Sequence, residues 1–254
     1  MKQNEQHFYD AAKDWDFSAI KMTEENLTNW DMFEKIREVA TKRSRILDLG
    51  TGGGENVLKH FPEVREIVGT DFSDAMIKTA QKNLKKFGRK NIIFRTMDNL
   101  KMDTPDEYFD IVVARHTCID PVQIHKTLRS GGTLVVRGVD QLDCWELKRL
   151  FGRGQAFHDE KSISHIDLDA ILDAGFRDVE LVPIHIREYY CTPEDFLNLL
   201  NKAPILEDFS EIHSKDDFLH YEIDPEIFEK YVAEHSTPKG ILLVRRYYGI
   251  IARK

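Results

Sequence analysis

The segment Ile46-Leu47-Asp48-Leu49-Gly50-Thr51-Gly52-Gly53-Gly54-Glu55 has the residue types and spacing best suited to hold a ligand, because an aliphatic run passes straight into glycines. The run reads as a buried parallel strand. A glycine turn directly behind it brings the main chain close to an elongated ligand, since a missing Cβ permits both positive φ and close approach. The spacing bears on what that ligand is. A dinucleotide fingerprint sets its third glycine at the helix opening, over a pyrophosphate. Counted from Gly50 and Gly52, that position is Glu55, whose carboxylate would repel a pyrophosphate.

S-adenosylmethionine (SAM) carries an ammonium and a sulfonium but no phosphate, so the Glu55 charge favours SAM over NAD. Asp48, Gly50, Gly52 and Gly54 resemble motif I of the class I SAM-dependent methyltransferases, D-x-G-x-G-x-G after the first strand. Downstream, Ile67-Val68-Gly69-Thr70-Asp71 resembles that family's second strand, ending in the acid that holds both ribose hydroxyls. Asp71 follows the turn at close to the separation of about 20 residues expected in nucleoside-binding βαβ units. Asn91 to Asp98 resembles the third strand, whose terminal acid accepts from the adenine amino group. Phe109 to Ala114 looks like the fourth strand, and Leu128 to Val136 like the following helix end, glycine turn and fifth strand. The resemblance runs from about residue 45 to 140 and then thins out. It implies SAM as cofactor, held by Asp48, Gly50, Thr51, Gly52, Gly54, Asp71, Phe72, Met76, Met97, Asp98, Asn99 and Arg115.

The sulfonium methyl is already activated, so the protein's main task is to align a nucleophile with it, and a dedicated base is optional. If one exists, His116 is the candidate, lying just after strand four where this family commonly places substrate-facing or catalytic residues. Its ordinary pKa of about 6.5 suits proton removal near neutral pH. The alternative is that His116 stacks beneath the cofactor or caps a loop, and Arg115 could instead bind an acidic substrate group. His158, His165, Tyr189 and Tyr190 are weaker candidates that read more readily as structural. Tyr189 is retained as a substrate contact together with Tyr9, Trp15 and His116. Asp140 follows strand five, but no further carboxylates match a magnesium site, so no metal is expected.

Hydrophobic periodicity supplies the elements that position these residues. Strands are predicted at 45–49, 66–70, 91–96, 109–114 and 132–138, with helices at 54–61, 73–87 and 121–129. Ser73 is a suitable N-cap, and Gly88 ends its helix. A helix is predicted over Glu24 to Ala40, with Thr23 and Asn26 near its start, and another from Ser164 to Ala174. Arg177 to Tyr190 reads as a long strand interrupted at Pro183, which belongs at an edge or bulge. Gly240 to Ala252 is the last strand, and the resemblance inserts it between the fifth and sixth. Residues 193–238 form a helical insertion, with Pro193 and Pro225 in first turns. The expected fold is α/β: a doubly wound, seven-stranded, mostly parallel sheet with an antiparallel last strand. An N-terminal lid and helix over 1–40 precede a SAM-binding domain over 41–254.

Composition narrows the partners. With 254 residues and 41% hydrophobic content, one full core can be buried. No apolar run nears the ~20 residues of a membrane span, and the N-terminus lacks the apolar core of a secretory signal, so a cytoplasmic protein is expected. Cys118, Cys144 and Cys191 are widely separated, and reduced, buried thiols are expected. A formal net charge of -8 disfavours polyanions, although Lys148, Arg149, Arg153 and Lys161 could form a local basic patch. The Asn/Asp-Pro-Pro-Tyr/Phe tetrad common in nucleic-acid amino-methyltransferases is replaced by Arg115-His116-Thr117-Cys118. The reading is methyl transfer to oxygen or nitrogen of a small-molecule acceptor, by a monomer or homodimer. An RNA or tRNA base methyltransferase and a non-catalytic SAM-binding sensor are the alternatives.

Overall fold

The structure is a computed structural model that describes residues 17–207 and 222–254. Nine strands and eight helices occur among these residues. In chain order they are β1 (Met22–Asn26), α1 (Met32–Val39), β2 (Arg45–Leu49), α2 (Glu55–His60), β3 (Glu66–Asp71), α3 (Asp74–Phe87), β4 (Ile92–Thr96), β5 (Phe109–Arg115), α4 (Pro121–Thr127) and β6 (Leu128–Val139). There follow α5 (Trp145–Phe151), α6 (Ile163–Asp173), β7 (Arg177–Tyr190), α7 (Pro193–Lys202), α8 (Pro225–His235), β8 (Ser236–Thr237) and β9 (Gly240–Arg253). The strands form one mixed sheet in the order β1-β7-β9-β6-β5-β2-β3-β4, with β8 on β9. The last long strand therefore lies between β6 and β7, as expected, but the sheet has nine strands rather than seven.

The chain divides into two compact units. One comprises 30–139, 164–183 and 248–254, and the other takes in the remaining described residues. In the first unit β2 pairs in parallel with β3 and β5, β3 with β4, and β5 with β6. Ile46, Leu47 and Leu49 are fully buried. A strand covered on both faces and flanked on both edges has no polar side to present, which is why its sequence does not alternate. Ser73 accepts from the Met76 N–H at 3.4 Å and starts α3, while Gly88, at φ 73°, closes it.

In the second unit β1 pairs antiparallel with β7, from Met22 opposite Tyr190 to Asn26 opposite Ile186. This corrects the helix predicted from Glu24. The true helix starts at Met32, behind Asp31, whose carboxylate accepts from the Glu34 N–H at 2.8 Å. Asn26 turns the chain by accepting from the Thr28 N–H at 3.0 Å. A short polar strand at a sheet edge has no apolar alternation to betray it. Pro183 does not interrupt β7. The pairing with β1 ends at Ile186, so on that side Pro183 lies beyond the last pair, where its missing N–H is tolerated.

The core of this unit gathers Leu147, Tyr190, Phe196, Leu199, Phe228, Tyr231 and Leu243. At its polar margin Arg245 donates to Asp143 (Nε to Oδ1, 3.0 Å; Nη2 to Oδ2, 3.1 Å) and to Glu188 (Nη1 to Oε2, 3.3 Å). Asp143 also accepts from the Arg246 N–H at 2.8 Å, and Glu188 from the Tyr190 hydroxyl at 2.5 Å. Burial disfavours the charged guanidinium, but the carboxylates around it, Asp143 foremost, hold the Arg245 pKa well above its usual value.

Residues 208–221, inside the predicted insertion, lie outside the described residues, but α7 and α8 begin as expected. Thr192 and Asp224 cap them, and a proline occupies each first turn. Among the described residues no helix is long and apolar enough to cross a membrane. Arg245→Ala should lower unfolding stability by about 3 kcal/mol, because two buried carboxylates lose their cation. Urea unfolding followed by circular dichroism measures it, and a loss below 1 kcal/mol would show the network to be dispensable.

Candidate functional site

The glycine turn between β2 and α2 is held from three directions. Thr51 donates its N–H to the Thr70 carbonyl at 2.8 Å, and the Thr70 hydroxyl donates to the Asp48 carbonyl at 3.2 Å, locking the ends of β2 and β3 together. Asp71, the last residue of β3, accepts from the Gly52 N–H at 2.9 Å through Oδ2 and from the Ser73 N–H at 3.0 Å through Oδ1. A carboxylate has about four lone-pair sites. Two backbone donors therefore fix its orientation.

Gly52 and Gly54 show why the turn needs glycine. Gly52 adopts φ +56°, and among the described residues a Cβ there would meet nothing within 4 Å. Gly54, at φ +77°, carries the Phe94 ring against its backbone, and a Cβ would come within 2.7 Å of Phe94 Cζ. One position leaves room for a ligand, and the other lets β4 close beneath the turn. The Glu55 carboxylate folds back over Gly53, where it accepts from Asn83 Nδ2 at 3.0 Å. Its charge thus stands at the start of α2, where a dinucleotide-binding turn would seat phosphate.

Thr117, just past β5, lies against Gly50 and accepts from Asn99 Nδ2 at 2.9 Å. Asn99 is buried, and its Oδ1 has no hydrogen-bond partner among the described residues. A buried amide oxygen without a donor is costly. Asp98 beside it is exposed, with Oδ1 accepting from the Leu100 N–H at 2.9 Å. Met76 and Met97 are buried, Phe72 is half-buried, and the Met97 N–H donates to the Asp71 carbonyl at 2.9 Å.

Asp48 sits buried under the turn. Burial pushes its carboxyl pKa up to about 7, opposed by the Thr51 side chain and by Arg115, and reinforced by the like charge of Asp71. His116 follows β5 with φ +52°, a left-handed conformation that is strained for a residue with a side chain. Its N–H donates to the Arg137 carbonyl at 2.9 Å, and its Nε2 lies 2.6 Å from Arg137 Nη1. A guanidinium only donates, so Nε2 is the acceptor and the ring proton of neutral His116 resides on Nδ1. Nε2 can take a proton only after that bond opens.

The first unit therefore brings together Asp48, the Gly50 to Gly54 turn, Asp71, Phe72, Met76, Met97, Asp98, Asn99, Arg115 and His116. Tyr189 belongs to the other unit, where its hydroxyl donates to Glu25 Oε2 at 3.0 Å. Tyr9 and Trp15, with the lid they were expected to form, lie outside the described residues. Arg137 and Thr117 escaped the sequence reading. Arg137 could have been found by aligning Ala114-Arg115 with Val136-Arg137 across β5 and β6.

Of the cysteines expected to be buried only Cys144 is, while Cys118 and Cys191 are exposed, and the candidate basic patch does not gather as a group. Lys148 is buried, with Nζ donating to the Gln155 carbonyl at 2.8 Å and the Gln141 carbonyl at 3.2 Å, and Arg153 Nε donates to the Leu206 carbonyl at 2.8 Å. Two of its four cations tie loops together instead of facing solvent as a group. Among the described residues no cluster of three or more His, Cys, Asp and Glu side chains could hold a metal ion.

A family model described as a methyltransferase domain matches residues 40–203. The uncharacterized methyltransferase YcgJ of Bacillus subtilis is 29% identical over 85 residues, which are 34% of this chain and 34% of that protein. The chain thus spans about a third of the length of that curated relative. The structure of YcgJ superposes with a TM-score of 0.53 at 16% identity, covering 88% of this chain and 97% of that one. Phosphoethanolamine N-methyltransferase 2 of Haemonchus contortus, in complex with phosphomonomethylethanolamine and S-adenosylhomocysteine, gives 0.51 at 18% identity, covering 89% and 53%. Likenesses at these identities speak for the fold alone.

Asp48 makes stability depend on pH. Its folded-state pKa exceeds the unfolded value of about 3.9, so the folded chain holds the extra proton between about pH 4 and 7, and stability from this group falls as pH rises through that window. Asp48→Asn should remove this part of the decline and raise the melting temperature at pH 8 by several degrees. Thermal unfolding of both proteins from pH 5 to 8 tests it, and parallel curves would contradict the assignment.

Proposed function

We propose, from the premise that the chain belongs to the methyltransferase-domain family, that it is a SAM-dependent enzyme transferring a methyl group to oxygen or nitrogen of a small molecule. The observation that carries this reading is the Asp71 carboxylate. Gly52 and Ser73 N–H groups fix it at the end of β3, beside a glycine turn open to a ligand. A carboxylate so oriented suits the two hydroxyls of a ribose. Asn99 Oδ1, buried without a donor, suits an exocyclic amino group, with Asp98 alongside. Phe72, Met76 and Met97 offer apolar surface to a purine, while Gly50, Thr51, Gly52, Gly54, Asp48 and Arg115 would line the amino-acid end. Glu55, folded over Gly53, disfavours a phosphate-bearing cofactor at the same turn.

When bound, SAM supplies an electrophilic methyl group on a positively charged sulfur. The residues of this chain then orient the acceptor and exclude water, which can lower a barrier by several kcal/mol without a dedicated base. His116, just after β5, would serve as a base toward the acceptor only with Nε2 released by Arg137. A small acceptor is favoured over nucleic acid by the Arg115-His116-Thr117-Cys118 sequence and by the engagement of Lys148 and Arg153 within the protein.

Calorimetry with S-adenosylhomocysteine should show binding that Asp71→Ala weakens by about 100-fold, the effect of losing two charge-assisted hydrogen bonds. Affinity unchanged by the substitution would overturn the assignment. Formation of S-adenosylhomocysteine from SAM on addition of fractionated metabolites, and none without them, distinguishes an enzyme from a sensor.

A further inference from the structure

Independently of the methyl-transfer reading, we propose that this chain associates with a second copy of itself, the lysine-lined outer face of α3 in one copy meeting the acid-lined outer face of α8 in the other. Residues 74–90 carry six cations, Lys78, Lys82, Lys85, Lys86, Arg89 and Lys90, against one acid, Asp74, although the whole chain has a formal net charge of -8. Asp74 accepts from the Thr96 hydroxyl, and Arg89 is taken up by Glu63 and by the Phe61 and Pro62 carbonyls. The lysines differ. All five are exposed, and among the described residues none has an ion-pair or hydrogen-bond partner. With 3.6 residues per turn, Lys78, Lys82, Lys85 and Lys86 share about a third of the helix circumference, opposite the buried Met76, Ile77 and Ala80.

The outer face of α8 has the reverse charge. Residues 222–234 carry Glu222, Asp224, Glu226, Glu229 and Glu234 against Lys230 alone. Phe228 and Tyr231 turn inward, while Glu226, Glu229 and Glu234 are exposed and, among the described residues, equally unpaired.

Local helix chemistry accounts for only part of either row. Lys85 and Lys86 suit the negative end of α3, and Glu226 the positive end of α8. Lys78 and Lys82 lie outside that last turn, and Glu234 sits at the end of α8 where an acid is unfavourable. Lys78, Lys82 and Lys86 also repel one another at i,i+4 spacing. Among the described residues nothing offsets these costs, whereas an opposed row of the other sign would. The dimensions agree, since Lys78 to Lys86 and Glu226 to Glu234 are equal stretches, each about 12 Å along its axis. A polynucleotide or an anionic membrane would match α3 and leave α8 unexplained. A second copy matches both.

Sedimentation velocity on the full chain, over a concentration series at about 0.15 M salt, should show reversible association. Salt at about 1 M should abolish it, because screening then acts within roughly 3 Å. Lys78→Glu with Lys82→Glu, and separately Glu226→Lys with Glu229→Lys, should each weaken association at least about tenfold, since like charges then face each other. An equimolar mixture of the two variants should associate again, because each keeps the face that the other has lost, and misfolded variants could not produce that rescue. Lys101→Glu with Lys126→Glu changes the net charge equally at exposed positions outside α3 and should leave association unaltered. A parent that stays monomeric at submillimolar concentration would overturn the inference, including one that instead binds a single-stranded oligonucleotide or anionic vesicles. Variants that associate like the parent, a mixture without rescue, or an equal loss in the Lys101 and Lys126 pair would each overturn it as well.

Discussion

A single carboxylate organises the candidate site. Asp71 joins the Gly52 N–H to the Ser73 N–H, so the glycine turn, the end of β3 and the start of α3 cannot move independently. Its own position is secured from below, since its carbonyl accepts from the Met97 N–H at the end of β4. Three successive strand ends are thereby referred to one residue. A ligand gripped by that carboxylate would meet a turn already shaped by backbone hydrogen bonds, with little ordering entropy left to lose on binding.

The same economy of geometry appears on the next strands. Thr117 packs against Gly50 and accepts from Asn99, which links the end of β5 to the segment after β4 across the mouth of the turn. One residue earlier, His116 is held to Arg137 by both its backbone and its ring. Each strand end of the parallel set thus restrains its neighbour through one or two polar contacts, and the hydrophobic strands behind them supply the rigidity. Ile46, Leu47, Ile67 and Val112, almost without exposure, cannot shift without opening voids in a close-packed interior.

The second unit solves a different problem. Here charged residues are drawn inside: Lys148 binds two loop carbonyls, and Arg245 is shared by Asp143 and Glu188. Buried ions of this kind add little net stability compared with apolar packing, but removing one partner is costly, so such networks favour one arrangement over its alternatives. Here the residues Asp143, Glu188 and Arg245 come from a loop and from two long strands far apart in sequence. The network ties those three segments together.

Local pattern alone carried much of this protein. Glycines behind an aliphatic run, an acid at the end of the next run, and Ser73 and Gly88 bracketing a helix are signals of short range, and short-range sterics and capping decide them. The strand at Met22–Asn26 differs from the helix predicted there because its five residues, four of them polar, acquire strand geometry only from Ile186 to Tyr190, some 160 positions away. Lys148 read as a surface cation because charge is visible in a sequence, while the carbonyls of Gln141 and Gln155 that receive it are not. The pairing of His116 with Arg137 likewise depends on the register of two parallel strands, which no window of residues contains. The chain by itself determined which residues could bind and where its strands end. Only tertiary packing decided which donors face which acceptors, because side-chain partners are set by distances in space that the order of residues does not encode.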